Sequence, residues 1–334
     1  MLGFLTRRLA AAVVILLTLS LVIFVLQYVS PGDPARAYVG ANASNEMVAA
    51  ERQRLGLNDP FFTQYFRFLG GLFTGDLGRS LRTRQPVTSD LAAYLPATVE
   101  LVVAAFFVAL ALAALYAMSG ALRWPGARIG RGVLLLMATA PPFLLALVGI
   151  IVFFGQLGWL PARGVGNFED PGPTGMQAVD TLLHGQANAF LDALQHLVLP
   201  AVVLSIAPAI AIGRVLRSSL LDVLGEDYIR TARAKGLSEW DVVVRHGLSN
   251  GLLPVVTLIG FEFSALFGGL IITEAVFSVP GLGQYVVASI LNRDYPAAQG
   301  IVLVLAGIVV LGNLTVDLIY GWLDPRTRMR GAQA

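Results

Sequence analysis

Apolar and polar positions separate into long blocks along this chain. Apolar runs cover residues 9–26, 101–118, 133–154, 197–212, 252–272 and 301–323, and most of the charge lies between them. Runs of this length approach the ~20 residues a helix needs to cross the hydrocarbon of a bilayer. The pattern therefore predicts an all-α integral membrane protein with six transmembrane helices. The first run, behind Arg7 and Arg8, reads as a span and not as a signal peptide, because it exceeds the roughly 7 to 15 apolar residues of such a peptide. Pro141, Pro142, Pro200 and Pro208 lie inside or at the edge of runs. A proline there frees a backbone carbonyl, so bends are expected at these positions.

Residues 31–97 break the pattern with mixed composition and Pro34, Pro60, Pro86 and Pro96. They predict a sizeable segment outside the bilayer. Gly75 and Gly78 within it read as turn residues. Without a following Lys-Ser/Thr and a strand-to-helix context they form no phosphate loop.

The other exception is 226–254, the most charged stretch between two apolar runs. It reads as two short amphipathic helices broken at Gly236-Leu237. Glu226 and Asp227 precede Arg230 by four and three residues, a spacing that supports a first helix. Tyr228, Ile229 and Ala232 share its other side. Gly236 suits the left-handed residue that ends a helix, and Ser238 with Asp241 three positions on is a near match to a capping box. Trp240, Val244 and Leu248 then line one face at four-residue spacing. Two helices around a glycine turn also fit a DNA-reading motif. Apolar runs on both sides hold this pair against a membrane face instead, so no nucleic acid is expected.

Composition agrees with the pattern. Hydrophobic residues make up 56% of 334 and charged residues only 13%, with mean hydropathy +0.72, too apolar for an ordinary soluble domain. With no cysteine and three scattered histidines, disulfides, thiolate metal sites and cysteine nucleophiles are excluded and a metal site has little to build on. His-Glu-x-x-His and Gly-x-Ser-x-Gly are absent, which argues against an intramembrane enzyme. No catalytic, cofactor-binding or metal-binding residue is assigned.

Orientation follows from Lys and Arg. With the N-terminus inside, fourteen of the 23 basic residues face the cytoplasm, six of them in 213–250. Outside the long segment 31–97, the opposite side receives only Arg163 and Arg293. Both termini and the central loop are thus expected inside.

Tyr228, Arg230-Thr231-Ala232-Arg233-Ala234-Lys235-Gly236-Leu237, His246, Asn250 and Leu253-Pro254 resemble the cytoplasmic coupling loop of ABC importer permeases, in the form found in the dipeptide, oligopeptide and nickel branch. Where the loop's general namesake begins Glu-Ala-Ala, Arg230-Thr231-Ala232 stand here and only Ala232 agrees. The resemblance covers essentially the whole chain. Phe24 ahead of Pro31-Gly32-Asp33-Pro34, Leu55-Gly56-Leu57, Tyr65, Gly75-Asp76-Leu77-Gly78-Arg79-Ser80 and His196-Leu197-x-Leu199-Pro200 carry it, as do Arg217-Ser218-Ser219, Glu274, Phe277, Pro280-Gly281-Leu282-Gly283, Arg293-Asp294-Tyr295-Pro296, Asn313, Asp317, Tyr320 and Asp324-Pro325-Arg326.

That resemblance implies a type I ABC importer permease fold: an N-terminal helix in 1–30, an extracytoplasmic segment 31–97, a core 98–325 with the coupling loop at 213–250, and a tail 326–334. It implies a multi-pass subunit of the bacterial cytoplasmic (inner) membrane, without chemistry of its own. A second homologous permease would complete the pathway. Two ATP-binding cassette subunits would carry ATP and Mg, and an extracytoplasmic binding protein would dock on 31–97, 155–196 and 275–300. Glu226, Tyr228, Arg230, Ala232, Arg233, Lys235 and Gly236 would couple to the ATPases. Glu262 stands where related permeases more often carry an uncharged polar residue. With Glu274, Pro280 and Gly281 it is a candidate for the pathway or its gate; a paired structural carboxylate and a plain Gly-Pro turn are the simpler readings. Asp317 is expected to brace helix packing, and Arg214 and Arg217 to snorkel to lipid headgroups. The competing class is a gradient-driven secondary transporter or channel subunit, which calls for inverted repeats or several paired membrane carboxylates. No internal repeat is evident. Di- or oligopeptides are the leading cargo, with nickel chelates, glutathione and opines open within the branch.

Overall fold

The computed structural model describes residues 2–29, 33–40, 42–166 and 172–323. The Asp324-Pro325-Arg326 motif and the tail lie outside the described residues, as do Pro31 and Gly32 and the side chains of Asp317 and Tyr320. Among the described residues regular structure is helical, with one isolated antiparallel bridge between Arg79 and Pro86. Among the described residues five helices are long and apolar enough to cross a membrane: Thr6–Val29, Val87–Ala121, Ala187–Leu224, Pro254–Phe277 and Tyr295–Thr315. A sixth span exists if Ala127–Thr139 and Pro142–Gln156 count as one, since these meet at 117°. The break falls at Pro141-Pro142, where one proline is the N-cap and the next opens the second helix. Pro200 and Pro208, by contrast, sit inside one unbroken helix of 38 residues.

The chain forms two compact units, one from residues 96–284 and the chain from 311, the other from 2–95 and 285–310. Helices are numbered in order: α1 Leu2–Val29, α2 Pro34–Val39, α3 Asn45–Arg54, α4 Phe61–Thr74, α5 Val87–Ala121, α6 Ala127–Thr139, α7 Pro142–Gly149, α8 Gln177–Leu183, α9 Ala187–Leu224, α10 Asp227–Ala234, α11 Glu239–Asp241, α12 Leu248–Gly251, α13 Leu253–Phe277, α14 Leu282–Leu291 and α15 Tyr295–Leu323. Two π-helical stretches, Ile150–Gln156 and Val242–Gly247, continue α7 and α11.

The first unit is built on α9, which packs against α6, α7, α8, α12 and α13. Ala113 and Ala117 of α5 meet Ile212, Leu216 and Leu220 of α9 and Val255 of α13 in a buried cluster. Alanine at such a contact lets helix backbones approach closely, which matters where lipid gives no hydrophobic drive for helices to associate. A second cluster joins Ala146, Leu199, Val203, Phe277 and Val279. Glu100 of α5 caps α8, accepting from the backbone N–H of Gln177 at 3.0 Å and Ala178 at 2.7 Å. A carboxylate there satisfies orphan amides and complements the helix dipole.

In the second unit Phe24 of α1 stacks among Phe61, Tyr65 and Phe68 of α4. Asp294 ties the loop before α5, accepting from the Ser80 hydroxyl and from the backbone N–H of Leu81 at 3.0 Å and Arg82 at 3.2 Å. Asp90 accepts hydroxyl hydrogen bonds from Thr83 and from Tyr285, both at 2.6 Å, and Tyr94 stacks on the Tyr285 ring. Burial first, then Asp90 accepting its hydroxyl, pushes the Tyr285 phenol well above its usual range. Tyr285 is thereby held as a neutral donor.

Candidate functional site

Two places combine polar groups and defined geometry. The first is the loop between α9 and α13. Its α10 buries Ile229 and Ala232 against Val242, with Leu224 and Leu237 packed around them. This small apolar clasp holds α10 against the π-helical stretch that follows. The chain reverses at Gly236, whose φ of 84° lies in the left-handed region, where a Cβ would meet the neighbouring backbone. Ser238 caps the next helix, its hydroxyl oxygen accepting from the Asp241 N–H at 3.1 Å while the hydroxyl donates to the Asp241 carboxylate at 2.6 Å. The Asn250 side-chain amide donates to the Tyr228 hydroxyl at 3.1 Å, tying the two ends of the loop.

Of the candidate coupling residues, Glu226, Tyr228, Arg230, Arg233, Lys235 and Gly236 are exposed and Ala232 is buried. Ala232 therefore belongs to the clasp and not to the outward face. Arg233 forms a fork on the Glu239 carboxylate, Nε at 2.7 Å and Nη2 at 3.2 Å. That bidentate contact holds the Glu239 carboxyl below the usual carboxylate range. Arg230 pairs with Asp227 at 3.1 Å, but both side chains are solvated and the pair adds little.

Beyond the turn the structure departs from the four-residue reading. Trp240 is exposed, while Val242, Val243 and Gly247 are buried. The reason is the π-helical stretch Val242–Gly247, whose wider turn shifts the side chains so that i, i+4 spacing no longer marks one face.

The second place is the end of α13. Ser278 takes a left-handed φ of 54° and ends the helix, Val279-Pro280-Gly281 form the turn, and α14 begins at Leu282. Glu274 is fully buried beneath this turn. It accepts from the Thr98 hydroxyl at 2.7 Å and from the N–H of Gly283 at 2.6 Å and Gln284 at 3.1 Å. The Thr98 oxygen in turn accepts from the Leu282 N–H at 2.7 Å. One carboxylate and one hydroxyl thus satisfy three amides at the start of α14. The carboxyl group lies where a Cβ on Gly281 would sit, so that position has no room for a side chain. Pro280 is exposed and Gly281 buried.

Glu274 is therefore a fixed hydrogen-bond hub. Glu262, three turns earlier in the same span, is half-buried and has no hydrogen-bond or ion-pair partner among the described residues. A carboxylate in a span with no partner of its own stands out by its cost in hydrocarbon. Sequence reading missed Thr98, because a threonine at the end of an apolar run gives no signal, and missed the capping role of Glu100, although a charge just before residues 101–118 was visible. Among the described residues no group of three or more His, Cys, Asp or Glu could hold a metal.

Comparison with known proteins supplies the context. Residues 109–329 match the family model described as binding-protein-dependent transport system inner membrane component, and residues 1–102 match the N-terminal model of the same components. The chain is 40% identical over 333 residues to the dipeptide transport system permease protein DppB of Alkalihalophilus pseudofirmus, covering 98% of this chain and 100% of that one. It is 39% identical over 335 residues to the probable D,D-dipeptide transport system permease protein DdpB of Escherichia coli, covering 98% of each. It is 35% identical over 333 residues to the glutathione transport system permease protein GsiC of Salmonella paratyphi A, covering 99% of this chain and 100% of the relative. With one model matched across most of the span-bearing core and relatives aligned from end to end, this chain belongs to the family of binding-protein-dependent transport system inner membrane components, and is a multi-pass transport subunit, not an enzyme.

Proposed function

We propose that this chain forms, with a second homologous permease, the membrane pathway of an ATP-driven importer of di- or oligopeptides. The relatives named for dipeptides support that cargo at 40% and 39% identity, against 35% for the glutathione relative. Two ATP-binding cassette subunits supply hydrolysis, and an extracytoplasmic binding protein delivers the peptide. Both termini and the loop between α9 and α13 face the cytoplasm, in keeping with the distribution of Lys and Arg.

The observation that carries the coupling role is the build of that loop. Exposed Glu226, Tyr228, Arg230, Arg233 and Lys235 stand on a short helix clamped from behind by Ile229, Ala232 and Val242. An element that is rigid inside and polar outside can pass displacement from a soluble partner to the spans at either end. Gly236 sets the angle between its two halves. Apart from Gly236 and its two chain neighbours, nothing lies within 4 Å of a Cβ placed there, so substitution strains only the backbone.

The test is Gly236→Val beside Gly236→Asn in proteoliposomes containing the whole transporter. Valine at positive φ costs about 1 to 2 kcal/mol or more, whereas asparagine tolerates that region. The valine variant is expected to insert and bind its ATPases yet lose peptide uptake, with the asparagine variant close to wild type. Uptake at the wild-type rate by the valine variant, with ATPases bound, would remove the loop from coupling.

A further inference from the structure

A cavity of about 690 Å³ opens beside the charged end of α9, lined by Ala211, Arg214, Val215, Arg217 and Ser218 of α9, Tyr116 of α5 and Leu258 of α13. Arg131 of α6 does not line it but reaches Arg217 from the side of Gly120. Arg217 Nε and Arg131 Nη1 are both buried and lack any hydrogen-bond partner. They lie 2.8 and 3.0 Å from the point where a Cβ on Gly120 would sit, and so stand no more than about 6 Å apart, a separation at which two cations repel appreciably outside bulk water. Neither they nor Arg214 have a carboxylate at ion-pair distance among the described residues. Arginine remains protonated at any relevant pH, so the repulsion cannot be relieved by losing a proton.

Snorkelling does not account for this arrangement. A snorkelled arginine buries its stem and keeps its donors in water, as exposed Arg214 can, whereas one donor nitrogen each of Arg217 and Arg131 is shielded. An anion that bridges the guanidinium groups would satisfy both orphan N–H groups and cancel the repulsion. The planar guanidinium fork matches phosphate oxygens. The apolar part of the lining, Ala211, Val215 and Leu258, comes from α9 and α13, two of the membrane spans. A basic end joined to an apolar flank fits a phosphate that carries acyl chains better than a free one.

We infer that Arg131, Arg214 and Arg217 form a specific binding site for the phosphate of an anionic phospholipid in the leaflet on the side of the loop between α9 and α13. The inference rests on the family reading only for the presence of a bilayer. Its test reads binding and not transport, so its failure would leave the importer reading standing.

The test uses the full chain, delipidated in neutral detergent, alone and within its assembled transporter. Native mass spectrometry and thermal melting are followed on adding dioleoylphosphatidylglycerol, dioleoylphosphatidylcholine or inorganic phosphate. Phosphatidylglycerol should be retained at one site per chain at least tenfold more tightly than phosphatidylcholine and should raise the melting temperature. Arg217→Gln and Arg131→Gln should each lose that preference about tenfold, while Arg230→Gln on the exposed loop keeps it. Because each glutamine removes one of two repelling charges, both variants should melt no lower than wild type in phosphatidylcholine. Equal retention of the two lipids, or wild-type retention in Arg217→Gln, would reduce the site to ordinary snorkelling and overturn the inference. A lower melting temperature of both variants in phosphatidylcholine would make the arginines packing residues and overturn it likewise. Saturation by inorganic phosphate without lipid preference would overturn the lipid source. Retention by the isolated chain but not by the transporter would place a partner's carboxylate there instead.

Discussion

Replacing Glu274 separates two costs that the structure makes distinct. In Glu274→Ala the Thr98 hydroxyl and the N–H groups of Gly283 and Gln284 lose their acceptor together. Each buried donor left without a partner costs about 1 to 3 kcal/mol, and bonds to a carboxylate sit at the upper end of the range. The three share one acceptor and will relax together, so a total of about 3 to 5 kcal/mol is the working figure. Glu274→Gln keeps the shape. Its carbonyl oxygen can turn toward Gly283 and Gln284, while its amide donates to the Thr98 oxygen, which already accepts from Leu282. Only the proton of Thr98 then loses its partner, and about 1 to 2 kcal/mol is expected. Melting in detergent, followed by intrinsic fluorescence, should therefore fall in the order wild type, glutamine, alanine, with the alanine variant lower by several degrees. Thr98→Val, which leaves the Leu282 N–H without its acceptor, should lie near the glutamine variant. If Glu274→Ala melts with the wild type, the carboxylate does not hold the start of α14, and its burial has another reason.

Other outcomes follow from single features. Glu262→Gln keeps the side chain's shape and should preserve peptide uptake at normal membrane abundance; loss of uptake would mean that the charge itself is required and would shift weight toward ion coupling. The chain has no cysteine, so Asn42→Cys and Lys235→Cys can each be labelled alone: Asn42→Cys should react with an impermeant maleimide in intact cells and Lys235→Cys only after the inner side is opened, and the reverse would overturn the orientation. Glu239 is depressed below its usual carboxyl value of 4.5 by the Arg233 fork. A depressed acid lends stability above its unfolded value and loses it as pH falls through the folded one, so the protection of amides in α10 and α11, after correction for intrinsic exchange, should decline as pH falls below 4.5 in wild type and much less in Arg233→Gln. The pair is solvent-screened, so the effect should stay under about 1 kcal/mol and shrink in high salt.

The sequence alone determined what depends on composition and local rules. The apolar runs marked the spans because a backbone in hydrocarbon must satisfy itself as a helix, and Pro141-Pro142 marked a bend because two adjacent prolines remove the donors that a continuous helix uses. Gly236 and Ser238 were legible for the same reason, since left-handed turns and helix caps are contacts among residues close in the chain. Tertiary structure alone decided the rest. Packing supplied Val242 as the partner of the Ile229 and Ala232 face that the sequence had already marked, and left Tyr228 of that face exposed; the register beyond Trp240 followed a π-helical turn that no four-residue count reveals. Glu274 became a hub only when α5 brought Thr98 to it from 176 positions away. The cavity at Arg214 and Arg217 likewise needed residues from α5, α9 and α13, and α6 brought Arg131 close to Arg217. Hydrogen bonds and charges act over a few ångströms, and which distant residues come that close is set by helix packing, not by spacing along the chain.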